Sequence, residues 1–93
     1  MKSKWIFKDG NKEIECESFP YAYRTMWNTL KKGVESKTRK YEDMIRSFCI
    51  VSPIRDRDGN IRKYSYTTAT AMALDQGLLT PDGQINSREF RKV

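Results

Sequence analysis

Trp5-Ile6-Phe7-Lys8-Asp9-Gly10-Asn11-Lys12-Glu13-Ile14-Glu15-Cys16-Glu17 is the stretch that decides the fold. Lys4 to Lys8 is rich in strand formers, and Asp9-Gly10-Asn11 is a strong short-range hairpin signal. From Lys12 the chain alternates, with Glu13, Glu15 and Glu17 on one face and Ile14 and Cys16 on the other. Folding back at the turn sets Trp5 and Phe7 on the face of Ile14 and Cys16, and Lys4 and Lys8 on the face of the glutamates. Opposite charges on neighbouring strands are mildly stabilising. A slip of one residue would invert both faces, so this register is the consistent one.

Outward from the hairpin, Ser18 is a good helix N-cap and Pro20 is tolerated in a first turn. Phe19, Tyr23, Met26, Trp27, Leu30 and Val34 recur at spacings of three and four, which predicts an amphipathic helix over about 19–35. Met26, Trp27 and Leu30 should form the main core. The last turn reads as basic, suiting the negative end of the helix dipole, and Gly33 as the place where the helix frays or ends. Residues 35–40 read as an exposed loop. Tyr41 to Phe48 has helical spacing for about two turns, and Phe48-Cys49-Ile50-Val51 reads as strand continuing toward Pro53 and Ile54.

Asp58-Gly59-Asn60 is a second hairpin turn, with Ile61–Tyr66 as its return strand. A short helix over about 67–77 follows. Ser65 or Thr67 can cap it, Gly77 closes it, and its buried side is small: Ala69, Ala71 and Ala73, with Met72 and Leu74. Leu78-Leu79 resumes strand character, Thr80-Pro81-Asp82-Gly83 is a turn, and Ile85 starts a last short strand. The tail 87–93 carries Arg88, Arg91 and Lys92 and reads as flexible. Turn, strand, Ser-aromatic and helix occur twice in succession. The expectation is one α+β domain over 1–93, with an antiparallel sheet built from two β-hairpins in the order β-β-α-β-β-α-β and a long and a short helix packed on it. Ala73 to Ile85, a helix closed by Gly and then strand, Pro-Asp-Gly turn and strand, resembles the last helix and wing of winged-helix domains. That resemblance implies a helix in the major groove and a wing on the backbone. The chain departs from the pattern upstream, where a hairpin precedes the helix, and the helix carries no Arg or Lys.

The chain has 93 residues, a length that favours a single domain. Aromatics at 12% are too many for a disordered chain. Cys16 and Cys49 sit beside apolar residues and read as buried free thiols of a reducing compartment; a small secreted domain would carry several disulfides. No stretch approaches the roughly 20 apolar residues that span a bilayer, and no hydrophobic segment follows the basic start Met1-Lys2-Ser3-Lys4. Cytoplasmic residence and no membrane partner are the expectations.

The net charge of +6 is unevenly distributed. Residues 31–40 hold Lys31, Lys32, Lys37, Arg39 and Lys40 against Glu35, a net of +4, while the stretches before and after are each at +1. A localised basic patch is an electrostatic footprint for a polyanion. Arg55, Arg57, Arg62 and Lys63 flank the second hairpin. Tyr64, with Tyr21, Tyr41 and Tyr66, interleaves aromatic rings with these bases, the composition of surfaces that stack unpaired bases. The plainer reading of the cations is solubilising charge, and of each tyrosine a buried ring with a wet hydroxyl.

Other chemistries fit poorly. The chain has no histidine, the commonest acid–base group and metal ligand. Two cysteines 33 residues apart make no zinc site, and no Gly-rich phosphate loop is present. Asp56-Arg57-Asp58-Gly59-Asn60 imitates the middle of an EF-hand loop, but the end ligands would fall on Ile54 and Ser65. No catalytic residue, metal or cofactor is expected. Two function classes remain. One is a non-enzymatic nucleic-acid-binding accessory protein, for DNA or RNA, acting through backbone phosphate contacts. The other is a protein-interaction module, an adaptor or inhibitor of the phage or mobile-element kind, docking on an acidic partner surface or lending a sheet edge.

Overall fold

A computed structural model describes residues 4–80 and 83–86. The elements in chain order are β1 (Trp5–Asp9), β2 (Lys12–Cys16), α1 (Phe19–Ser36), α2 (Tyr41–Ser47), β3 (Phe48–Arg55), β4 (Ile61–Ser65) and α3 (Tyr66–Asp75). The strands form one antiparallel sheet in the order β2-β1-β3-β4, so the two hairpins join through their first strands. The α+β expectation holds, with a second helix, α2, between the two units.

The first hairpin has the register its side chains require. Trp5 lies opposite Cys16, Phe7 opposite Ile14 and Lys8 opposite Glu13, with a Lys8–Glu13 ion pair at 3.5 Å. Its loop is Gly10-Asn11, and Gly10 alone has positive φ, at 63°. Positive φ at the first loop position only is the pattern of a type II′ turn, whose twist matches paired strands. In the second hairpin Asp56 Oδ1 accepts the amides of Asp58 and Asn60 at 3.0 and 2.9 Å. The EF-hand-like carboxylate is therefore occupied by its own turn. Between Val51 and Arg55 the β3–β4 pairing shifts register, where Pro53 removes a ladder donor.

All three helices pack on one sheet face. Phe7, Phe19, Ala22, Tyr23, Met26, Met44, Phe48, Ile50, Ala69, Ala73 and Leu78 form the core, with Cys16 and Leu30 at its margins. Three expectations about α1 need correction. Trp27 is only half-buried and Val34 is exposed, so the apolar stripe extends beyond the core. The last turn holds no base, because Lys31 and Lys32 lie one turn earlier. Gly33 does not end the helix, which runs to Ser36 and stops at Lys37 in the left-handed region (φ 58°). Gly33 is instead a close-packing point: a Cβ there would lie 2.6 Å from Met44 Sδ on α2. Ser18 occupies the N-cap position, but its side chain makes no capping bond.

Ser65 caps α3, accepting the Thr68 amide at 3.3 Å. The helix ends in a Schellman motif: Leu78 N–H bonds Ala73 O at 2.9 Å and Gly77 N–H bonds Leu74 O at 3.2 Å, with Gly77 at φ 75°. Only Ala69 and Ala73 of the alanine side are buried; Ala71 and Leu74 face solvent. A four-residue spacing keeps one face on the sheet, and residues 71 and 74 fall off it. Leu79 and Ile85 form an isolated bridge, so the last strand is a small separate hairpin and not a strand of the main sheet. The winged-helix order is absent, since β4 leads directly into α3. Cys16 is buried, whereas Cys49 is half-buried on the opposite sheet face, and both are free thiols. The Pro81-Asp82 turn and the tail 87–93 lie outside the described residues. Among the described residues no helix is long and apolar enough to cross a membrane.

Candidate nucleic-acid interface

The topology divides the predicted basic residues into separate groups. β3 runs from Phe48, opposite Asp9, to Arg55, opposite Ile61. Seven steps at about 3.3 Å each separate the two ends by about 23 Å. The end of α1, the 37–40 loop and the first hairpin tip lie at the Phe48 end. Arg55 and Arg57 lie at the other, where Arg55 Nη1 donates to Gly59 O at 2.7 Å. Arg62 and Lys63 are exposed on the edge strand β4. Lys63 pairs with Val51 and shares the sheet face that carries no described helix. Tyr64 points to the helix side, stacking on Trp5 with centroids 6.3 Å apart. It is a packing residue and stands apart from the bases around it.

The 31–40 group does converge, and it gains Lys12, which sequence reasoning missed. Lys12, Lys32 and Arg39 line one cleft with the hydroxyls of Thr29, Ser36 and Thr38. Lys37, Arg39 and Lys40 line the adjoining cleft, and Lys31 and Lys32 line a third beside Trp27. Shared walls make these one continuous surface. Lys12 follows the first hairpin turn, and only the packing of that turn beside α1 brings it here. The one sequence signal for it is its place after a turn that packs beside a helix carrying Lys31 and Lys32.

Arg39 has a different role from its neighbours. Its Nη1 and Nη2 donate to Asp9 Oδ2 and Oδ1 at 2.6 and 2.9 Å, a bidentate pair. The hydrogen bond from Arg39 holds the Asp9 carboxyl below its usual range, against the opposing effect of partial burial. The guanidinium also lies 6.0 Å from the Phe48 ring centre. Arg39 thus ties the α1–α2 connection to the first hairpin and organises the surface. None of Lys12, Lys32, Lys37 and Lys40 makes an ion pair among the described residues. Lys12 is followed by Glu13 and lies opposite Asp9, while Glu35, Glu42 and Asp43 are the acids nearest Lys32, Lys37 and Lys40 in the chain.

Of Tyr21, Tyr41, Tyr64 and Tyr66, Tyr41 is the exposed one, at 47%, with Tyr66 edge-on to it at 6.2 Å. Burial, the larger effect, and the neighbouring Tyr41 push the Tyr66 hydroxyl up to about 12. Tyr23 is buried and shares a 3.2 Å hydrogen bond with Thr70. Trp27 is half-buried with Lys31 Nζ 5.0 Å above its ring. No group of three or more His, Cys, Asp or Glu side chains among the described residues is arranged to hold a metal ion. No protein-family model, curated protein or solved structure matches the chain.

Proposed function

We propose that the protein is a non-enzymatic nucleic-acid-binding accessory protein that grips the phosphate backbone with Lys12, Lys31, Lys32, Lys37 and Lys40. The observation that supports this reading is the continuity of three basic clefts at one end of the sheet, with their lysines free of ion pairs among the described residues. Phosphate binding needs several cations on one face. Arg55 and Arg57 lie at the far end of β3, Arg62 on the β4 edge and Lys63 on the sheet face opposite the helices, so they stand outside the same short contact. They extend the footprint only for a longer strand.

A second reading is a protein-interaction module using the far hairpin. There Ile54 is 66% and Ile61 48% exposed beside Arg55, Arg57 and the β4 edge, which is unpaired among the described residues. Apolar side chains with cations on an open edge suit strand addition by an acidic partner. A titration with short labelled single- and double-stranded DNA and RNA, at low and near-physiological salt, separates the two. Binding that persists at near-physiological salt supports the first reading. Absence of binding, or weak binding lost with modest salt and indifferent to nucleic-acid form, favours the second.

A further inference from the structure

Beside the lysine surface runs a groove between the outer side of α1 and residues 83–84. Leu30 and Val34 form its floor, and Trp27 and Tyr41 bound it. Lys31, Glu35 and Gln84 supply its polar rim. Beyond buried Leu30 the core leaves this stripe open: Val34 is 46% exposed, Tyr41 47%, and Trp27 only half-buried. Tyr66 packs against the Tyr41 ring in an edge arrangement, with centroids 6.2 Å apart. Two aromatic rings and an aliphatic floor are thus presented on the most basic part of the molecule.

Resting on the nucleic-acid reading above, we infer that this groove takes an unpaired base of a single strand, whose phosphates lie on the lysines. Charge complementarity selects this occupant. Lys31 and Lys32 flank the Trp27 side, Lys37 and Lys40 flank the Tyr41 side, and Glu35 is the acid within the groove. An uncharged apolar ligand would gain nothing from those lysines, and an acidic peptide offers a flat ring only where it carries an aromatic residue, whereas every nucleotide joins a ring to an anion. A nucleotide offers both a π-face and an anion, and single-strand binders combine stacking rings with a basic track in this way. A duplex keeps its base faces stacked inside and reaches only the lysines. Lys31 lies over the Trp27 ring, so it moves from ring to phosphate when the base enters. Glu35 and Gln84 then stand at the base edge as hydrogen-bonding groups.

The test titrates the protein with single-stranded DNA, single-stranded RNA and the matching duplex, each of about 15 nucleotides or base pairs, following anisotropy and tryptophan emission. Either single strand should bind more tightly than the duplex and quench emission. Tyr41→Ala, at an exposed site, should weaken single-strand binding by about 5- to 150-fold and leave duplex binding unchanged. Trp27→Phe keeps a ring and the fold, and should abolish the quench while retaining most of the affinity, which excludes Trp5 as its source. Equal binding of single strands and duplex, unaltered by Tyr41→Ala, would overturn the groove and leave the phosphate reading standing. Failure of every nucleic acid to bind would overturn both.

Discussion

Replacing Lys32, Lys37 and Lys40 by Gln removes charge from the surface without touching a packed residue, since all three are exposed and none is ion-paired among the described residues. Each lysine that neutralises a phosphate adds about 0.7 to the salt slope on a single strand and about 0.9 on a duplex, through counterion release. If Lys12, Lys31, Lys32, Lys37 and Lys40 each take one phosphate, the logarithm of affinity should fall with the logarithm of salt at about −3.5 on a single strand. The triple variant should retain a slope of about −1.4. The two lines converge as salt rises, so the affinity loss is largest at low salt. Fluorescence anisotropy at four or more salt concentrations gives both slopes, and far-ultraviolet circular dichroism checks the fold. A folded triple variant with an unchanged slope would refute the assignment, because affinity would then come from cations elsewhere, such as Arg55, Arg57, Arg62 and Lys63. Arg39 is left out of the variant because its charge is committed to Asp9.

Arg39→Gln should act on stability, lowering it by about 1 kcal/mol at neutral pH as a partly exposed bidentate pair is lost, measured by urea denaturation. Asp9 titrates lower in the folded protein than its ordinary value of 3.8. The stabilisation is therefore complete above about pH 4 and fades as pH falls through the folded value, so wild type and variant should converge in acid. Gly33→Ala gains about 1 kcal/mol of helix propensity but drives a methyl into buried Met44, an overpacking cost of about 1–3 kcal/mol. It should be neutral to destabilising in the wild type and stabilising in a Met44→Ala background. A stabilising effect of the same size in both backgrounds would show that the contact does not constrain α1. The half-buried Cys49 should react with a thiol reagent in the native protein, and the buried Cys16 only on unfolding. Two equally fast thiols would contradict this placement.

Local patterns were legible wherever one strong preference acted alone. The Glu13-Glu15-Glu17 alternation and the Gly10 turn predicted the first register, and the spacing of Phe19 to Leu30 predicted α1. Gly33 shows where such reading stops. A lone glycine near a helix end looks like a terminator, yet its missing side chain makes room for Met44, eleven residues on, across a helix–helix contact. Trp27 fails in a similar way. Its spacing matches the core stripe, but the sheet is narrow enough that the stripe overhangs it, and the overhang becomes the groove.

The amino-acid sequence by itself determined the α+β class, both hairpins, the Gly77 stop of the short helix and the concentration of positive charge in residues 31–40. These depend on turn chemistry, side-chain alternation and neighbours within a few residues. Only the tertiary structure decided which cations share a surface. Strand pairing set Arg55 at the opposite end of β3 from Phe48, about 23 Å along the strand, brought Lys12 to the α1 lysines from another element, and committed Arg39 to Asp9 across thirty residues of chain. Charge is carried by the residue, but convergence is a property of pairing register and packing between distant segments, which no local pattern encodes.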